Sequence, residues 1–559
     1  MDWALDEGVF REWILGGGSA PAGPVWEKAE ALRARGRLRF WVAAGSVAPL
    51  QEWMSGLSGS GVTPAVRSRR DRAWESVRVF TVDAQSVAEA LAGGSRDLGA
   101  RIAIANFHRI APQGVFVSRS ASLVSPLGGK PAEGKPPART PEAALEAFDR
   151  EADPIAPIVP IGKGPGPRIP MLDLQAEYRE LHPEIDRALL QGAAEAQYVL
   201  GPFVTRFEQA LGAYLGTKHA IGVSSGTESL VLALRALALT RFGKERFDAS
   251  DRILTTPFTF VATGDAILRS GATPVFVDID PATMNMDVAA LRRYLDATQA
   301  GGPQGGRTVG IIPVHLFGQS CPMDDILSLA RERGLFVLED VAQAFGADWR
   351  GRKLGTLGDL GSFSFFPSKN LGGFGDAGAV TTDDGDLAMA VRQLLKHGSR
   401  EKNRFDILGY NARLDSLQAG VLLAKLPRVD ANNRLRMDIA GRYLEGLRGI
   451  PDLILPRASG AAGSLSVFHQ FTLRTSRRAD LQAHLEACGI STMLYYPYPL
   501  HRMPLFQGRQ VVAAAGDAGT GLPQAELAAD QVLSLPMGPS MEAPRVDAVI
   551  AAVRGFFGA

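Results

Sequence analysis

Cysteine is nearly absent: Cys321 and Cys488 are the only two in 559 residues. Two thiols cannot hold a four-thiolate zinc or iron–sulfur centre within one chain, and they cannot staple a disulfide scaffold. Long apolar runs are lacking too, so no stretch reads as a membrane span. The start, Met1-Asp2-Trp3-Ala4-Leu5-Asp6-Glu7, has neither the basic opening nor the apolar stretch of a secretory signal, and the cytoplasm is the default expectation. There is no excess of charge of either sign: Lys plus Arg number 60 and Asp plus Glu 59. That balance argues against a general polyanion binder and makes nucleic acid an unlikely partner, while leaving a local patch open. With 46% hydrophobic and 21% charged residues the chain has the composition of folded domains. Its length suggests roughly two to four of them.

Tryptophan and proline divide the chain. Six of the seven Trp precede residue 75, leaving only Trp349 beyond. Eleven of the 35 Pro fall between Pro126 and Pro170. They form two stretches, Pro126–Pro137 and Pro154–Pro170, around a short helical piece at Thr140–Arg150. Pro lacks an amide donor and Gly resists ordering, so this reads as a semi-rigid linker. Residues 1–150 are expected to form one domain, 151–170 a Pro/Gly-rich linker, and the remainder a larger unit.

That larger unit alternates strands with helices. Strands are expected at Ala220–Val223, Arg252–Thr256, Pro274–Asp278, Val309–Val314, Leu335–Glu339, Gly361–Phe366 and Gly378–Thr382. Helices are expected at Glu228–Leu239, Phe260–Arg269 and Met323–Arg333. The strands are continuously apolar, as parallel strands covered on both faces must be. The pattern implies an open α/β sheet, with ligands beyond the carboxyl ends of its strands.

Three strand ends stand out. Val223-Ser224-Ser225-Gly226-Thr227-Glu228-Ser229 follows a strand and opens a helix, where free amides make either an anion site or an ordinary Ser/Thr cap. It is neither a P-loop nor a GxGxxG fingerprint, so a nucleoside triphosphatase and a classical dehydrogenase lose support. Asp340, in Val337-Leu338-Glu339-Asp340-Val341-Ala342-Gln343-Ala344, sits where an apolar strand ends. There it is either a helix cap or a carboxylate facing the crevice, able to hold a protonated heteroaromatic nitrogen or a metal. Lys369 lies beyond another strand and before a Gly-rich loop, Gly372 to Gly378. A desolvated lysine loses basicity and can form a Schiff base, although a lone lysine is usually a surface residue.

From about Ile169 to Phe557 the chain resembles the DegT/StrS-type sugar aminotransferases, of the fold-type I pyridoxal phosphate class. The matching stretches run in order. They begin with Ser225-Gly226-Thr227, Pro257-Phe258-Thr259-Phe260-Val261-Ala262-Thr263 and Pro274-Val275-Phe276-Val277-Asp278-Ile279-Asp280. Next are Pro313-Val314-His315-Leu316-Phe317-Gly318, Glu339 through Ala344, and Ser364 through Gly378. Gly409-Tyr410-Asn411-Ala412-Arg413-Leu414-Asp415 and Leu533-Ser534-Leu535-Pro536-Met537 complete the set. The resemblance implies an α/β fold with a large mixed, mainly parallel sheet domain (171–425) and a smaller C-terminal α+β domain (426–559).

The resemblance also implies roles. Lys369 is expected to carry pyridoxal 5'-phosphate as a Schiff base and to move protons. Asp340 is expected to pair with the pyridinium nitrogen. Phe260 would stack on the ring, or else be a core helix aromatic. Gly226 and Thr227 would bind the phosphate through helix-end amides, with Ser364 adding a hydroxyl. Gln343 would face the ring hydroxyl, and Asn411 or Arg413 would reach the phosphate region of a neighbouring subunit's site, implying a homodimer with shared sites. His315 either touches substrate or cofactor or makes a structural hydrogen bond. No metal is expected. The implied reaction moves an amino group, usually from glutamate, to a keto group of a nucleotide-linked sugar. Lys369-Asn370-Leu371-Gly372 followed by Gly375-Asp376-Ala377-Gly378 is similar to members acting at C3 rather than C4. Tyr495-Tyr496-Pro497-Tyr498-Pro499-Leu500-His501 resembles the family's late substrate-side segment and receives no catalytic role. The rival class is a non-catalytic regulatory or interaction protein that keeps the cofactor pocket; the retained Lys369 and Asp340 speak against it.

The first 150 residues resemble a small α/β PIN-type nuclease domain in their order of elements. A helix is expected at Val25–Gly36, a strand at Leu38–Ala43, a helix at Leu98–Arg109 and a strand at Gly114–Val117. Such nucleases need about four convergent carboxylates for divalent cations. Here Asp2 or Asp6, Glu52 and Asp97 are the only remnants, so the expectation is a degenerate module. Arg67-Ser68-Arg69-Arg70-Asp71-Arg72 reads as a solvated loop before it reads as an RNA contact.

Overall fold

The computed structural model describes residues 39–44, 78–83, 101–103, 114–118, 169–298, 306–401, 403–457, 464–513 and 521–559. The chain divides into two units, Met1–Lys163 and Gly164–Ala559. In the first, strands β1 (Arg39–Ala44), β2 (Arg78–Asp83), β3 (Arg101–Ala103) and β4 (Gly114–Ser118) form one sheet in the order β2-β1-β4-β3. The β1–β4 pair is parallel, and the two outer strands pair antiparallel. The helix expected over Leu98–Arg109 is corrected: Arg101–Ala103 within it is a strand edge-paired to β4. Pairing to a neighbour overrides local helical preference in so short a piece. The expected helices Val25–Gly36 and Thr140–Arg150 lie outside the described residues. So do Pro126–Pro137, residues 154–168 of the second Pro-rich stretch, Arg67–Arg72, Asp2, Asp6, Glu52 and Asp97.

The second unit is built on an eight-stranded sheet. Its strands are β5 (His219–Val223), β6 (Asp251–Thr255), β7 (Thr273–Val277), β8 (Arg307–Ile311), β9 (Phe336–Asp340), β10 (Leu360–Ser364) and β11 (Gly378–Thr382). Further along, β12 (Phe471–Arg474) and β14 (Val532–Leu535) make a separate antiparallel pair. Between them β13 (Val511–Ala513) crosses to the large sheet and pairs with its edge strand β7. The order is β13-β7-β6-β8-β9-β10-β11-β5. Every pair is parallel except the two made by β11, which alone runs against the rest. The large sheet is thus mixed and mainly parallel. Strands β6, β9 and β11 are buried at every position, which is why they read as unbroken apolar runs.

Helices cover both faces. Helix α1 (Leu174–Glu195) begins at Asp173, whose carboxylate accepts the Ala176 amide at 2.8 Å. Helix α2 (Gly226–Phe242) is buried from Ser229 through Ala238 and so shows no polar stripe in sequence. It ends at Gly243, whose φ of 62° is the left-handed conformation glycine tolerates best. Helix α3 spans Val261–Arg269, with Phe260 as its extended cap rather than its first turn. Helices α4 (Met323–Arg333), α5 (Ser416–Lys425) and α6 (Val429–Gly446) follow. Beyond α6 a smaller core gathers around Tyr443, Phe471, Leu473, Leu533 and Val549. No helix among the described residues is long and apolar enough to cross a membrane.

Candidate active site

The strand directions bring three chain segments to one edge. The carboxyl ends of β5, β9 and β10 deliver the start of α2, Asp340 and the loop carrying Lys369. Asp340 is the last residue of β9 and is buried. Its Oδ2 accepts the Thr263 hydroxyl at 2.8 Å and its Oδ1 the Ala342 amide at 3.1 Å. Burial raises its pKa; those two hydrogen bonds and the Lys369 charge oppose the rise. Lys369 keeps some exposure to the crevice, but protein crowds its ammonium. Desolvation lowers its pKa to about 8, against the pull of Asp340. A lysine that sheds its proton early near a buried carboxylate is an arrangement typical of catalytic sites. The loop is held from behind: Lys425 Nζ, buried, donates to the Gly372 carbonyl at 2.7 Å and pairs with Glu177 at 2.9 Å.

At the start of α2, Ser225 Oγ accepts the Glu228 amide at 3.1 Å. The amides of Gly226 and Thr227 make no hydrogen bond among the described residues and so remain open to an anion. A Cβ on Gly226 would lie 2.5 Å from Ser364 Cβ and 3.0 Å from Ser364 Oγ. Glycine here lets the hydroxyl at the end of β10 sit against the helix start. Residues Asn411–Arg413 run beside β5: the Ser224 amide bonds the Ala412 carbonyl at 3.0 Å, and Arg413 bridges Val223. The Arg413 guanidinium donates to Asn411 Oδ1.

Phe260 is 55% exposed, so it is no core aromatic of the helix. Its ring centroid lies 6.1 Å from that of Tyr496, at 39°. Gln343 is engaged at both ends: Oε1 accepts the Phe317 amide at 2.9 Å and Nε2 donates to Tyr496 Oη at 2.8 Å. His315 is fully buried, 3.2 Å from Glu339 Oε2 through Nε2 and accepting the Cys321 amide at Nδ1 (3.0 Å). Glu339 also takes the Gly355, Leu357 and Gly358 amides at 3.0, 2.7 and 2.9 Å. This gives both His315 and Glu339 structural hydrogen bonds. Sequence reasoning missed Thr263 and Tyr496. Thr263 stands one helical turn beyond Phe260, a spacing that could have marked it. Tyr496 lies in a segment singled out for its resemblance but given no role; nothing local tied it to Gln343, 153 residues away.

A model of the DegT/DnrJ/EryC1/StrS aminotransferase family matches residues 180–554. A pleiotropic regulatory protein of Geobacillus stearothermophilus is 40% identical over 390 residues, covering 70% of this chain and 98% of that protein. A dTDP-3-amino-3,4,6-trideoxy-alpha-D-glucose transaminase of Streptomyces venezuelae is 41% identical over 388 residues, covering 69% and 96%. A UDP-N-acetyl-3-dehydro-alpha-D-glucosamine 3-aminotransferase of Acidithiobacillus ferrooxidans is 40% identical over 386 residues, covering 69% and 97%. Among solved structures, S. venezuelae DesV in complex with a ketimine intermediate superposes with a TM-score of 0.64 at 41% identity, covering 70% of this chain and all of that one. The Bacillus subtilis protein NtdA, solved with its cofactor PMP, gives 0.61 at 29%, covering 71% and 87%.

Proposed function

The chain belongs to the DegT/DnrJ/EryC1/StrS aminotransferase family, and on that premise we propose that it transfers an amino group, from glutamate, to a keto group of a nucleotide-linked sugar with pyridoxal 5'-phosphate as cofactor. The observation that carries this reading is buried Asp340 at the end of β9, close enough to Lys369 for each charge to act on the other. The cofactor, when bound, supplies an aldehyde and an electron-withdrawing ring. The residues present fit it. Two free amides and the Ser364 hydroxyl, packed where a Cβ would not fit, suit a phosphate. Asp340, stiffened by Thr263, suits a protonated ring nitrogen. Lys369 Nζ would hold the aldehyde carbon, and near neutrality it can both carry and release a proton. Phe260 and Tyr496 flank the crevice and would keep water from one side of it.

The preference for C3 is supported by the activities that the two transaminase relatives are named for, both at C3. Asn411 and Arg413 are assigned to a second subunit's site, making a homodimer with shared sites. The exposed Phe260, Phe366 and Phe374 offer apolar surface for that second copy. Residues 1–150 are proposed as a separate, degenerate PIN-like module, 151–170 as the linker, and 171–425 and 426–559 as the large and small domains of the enzyme. A regulatory reading has two relatives' names behind it, but a protein that only senses has no use for a low-pKa lysine near a buried carboxylate. The deciding experiment incubates the purified full chain with glutamate and a panel of nucleotide-linked 3-keto and 4-keto sugars, following products by mass spectrometry and NMR. Amination of a 3-keto sugar is expected. No turnover on any member, or borohydride fixing the cofactor on a lysine other than Lys369, overturns the reading.

A further inference from the structure

Helix α2 is buried from Ser229 through Ala238, and Arg235 is the one charged residue in that stretch. A buried cation is costly, and an apolar side chain of similar volume would sit there at less cost. Arg235 has therefore to be explained by what it holds. All three of its side-chain bonds leave the buried stretch. Nε donates to the Glu245 carbonyl at 2.8 Å, Nη1 to Tyr410 Oη at 2.8 Å and Nη2 to the Leu408 carbonyl at 3.1 Å. The guanidinium carbon also lies 5.5 Å from the centroid of the Tyr410 ring. Its acidic partner, Glu245, is 3.9 Å away and more than half exposed, so the ion pair contributes little. What Arg235 grips is the segment beginning at Leu408.

That segment leads directly into Asn411. Gly409 is wedged in place, since a Cβ there would collide with the backbone of Gly398 and His397. On either side of Asn411 the backbone is tied down: the Tyr410 amide bonds the Leu394 carbonyl at 2.7 Å and the Ala412 amide the Leu395 carbonyl at 3.2 Å. The Arg413 guanidinium can only donate, so the Asn411 amide atom that it meets is Oδ1. Asn411 Nδ2 is thereby left as a donor beside a cation, a combination suited to an anion. The first turn of α2 is its own subunit's phosphate seat, and Arg235 lies about 13 Å further along the same helix. We propose that Arg235 is a positioning residue for the neighbouring subunit's cofactor: it holds Leu408 and Tyr410 so that Asn411 and Arg413 meet the phosphate in the other copy's seat. This rests on the shared-site reading above. One helix then serves two sites, one through its first turn and the other through its buried arginine.

The test uses full-length hybrid dimers, made with two affinity tags, that each hold a single Lys369. Graded pyridoxal phosphate is added, borohydride fixes what is bound, and the Lys369 peptide is read by mass spectrometry. The reference hybrid pairs a wild-type subunit with Lys369→Ala. The first test hybrid pairs Arg235→Met with Lys369→Ala. Its only lysine site lies in the altered subunit but is completed by an intact Arg235 from the other, so half-saturation is expected to match the reference. The second pairs a wild-type subunit with the double variant Arg235→Met/Lys369→Ala. Its lysine site is unaltered but receives a loosened Asn411, and half-saturation is expected to need about tenfold more cofactor. A residue that merely supports its own subunit would give the opposite pattern. Tyr410→Phe removes one of the three acceptors, should repeat the pattern at about threefold, and serves if Arg235→Met does not fold. Weakening in the first hybrid, or reference behaviour in the second, overturns the proposal. Asn411→Ala put through the same hybrids separates the failures. If it weakens the second hybrid and Arg235→Met does not, the shared seat stands and only the role of Arg235 falls.

Discussion

Adding one methyl group at Gly226 tests how tightly the phosphate seat is built. The new Cβ would sit 2.5 Å from Ser364 Cβ, 3.0 Å from its Oγ and 3.1 Å from its Cα. Carbon atoms rest about 3.5–4.0 Å apart, so Ser364 or the helix start must move by roughly 1 Å. Overpacking of this kind costs about 1–3 kcal/mol. Replacing glycine with alanine in a helix returns at most ~1 kcal/mol, less at the first turn. The cofactor-free Gly226→Ala protein should therefore lose only a little stability. Binding should suffer more, because the two amides and the hydroxyl converge on one ligand group. Misplacing a single hydrogen bond to a charged group removes about 1.5–3 kcal/mol, or roughly 10- to 100-fold in affinity. The assay is absorbance titration of the full-length chain with pyridoxal phosphate, alongside thermal unfolding without it. Adding Ser364→Gly should relieve the clash and recover the melting temperature without recovering affinity. Wild-type affinity in Gly226→Ala would refute the seat.

Asp340→Ala should lower turnover by at least about 100-fold, since it removes the charge proposed to hold the ring nitrogen; near-normal rates would mean the strand-end assignment is wrong. Aldehyde capture by Lys369 should rise as pH passes about 8, where an ordinary lysine at 10.5 would still be protonated. Between those values the unfolded chain binds more protons, so this group adds stability as pH rises through the window; a midpoint above pH 10 for Lys369 in competitive amine labelling of the cofactor-free protein contradicts it. Mixing Lys369→Ala subunits with Arg413→Ala or Asn411→Ala subunits should restore one intact site per mixed dimer after exchange, and full activity as a monomer rules that out. A chain beginning at Ile155 should keep transaminase activity, and residues 1–150 should show no metal-dependent RNA cleavage; manganese-dependent cutting abolished by Asp97→Asn would reverse that view.

The large sheet was readable because strands such as β9 and β11 are buried on both faces and leave no polar position to blur them. Asp340 and Lys369 stood out because a charge at the end of such a run, or a few residues past it, has little reason to be there except the crevice. Phe260 was harder: its segment is helical in pattern, but the residue is the cap, and one step of backbone turns the ring from core to crevice. Thr263 and Tyr496 were hidden for a different reason. Their meaning lies in partners 77 and 153 residues away, and no local pattern encodes such distances. The edge strand β13 was missed because three residues of moderate burial carry no period to detect.

The position of β5 has a consequence for how the protein matures. It is the first strand of the large sheet in the chain, yet it lies at the far edge, reached only through β11. The start of α2 therefore has no floor until Ser364 and Gly378 have been synthesised and paired, some 150 residues later in the order of translation. A nascent chain that stops before β10 has the amides but neither the hydroxyl nor the lysine. Cofactor capture is in this sense a late event that reports a finished sheet. Any ligand that binds only the finished sheet pulls folding toward completion in proportion to its free concentration.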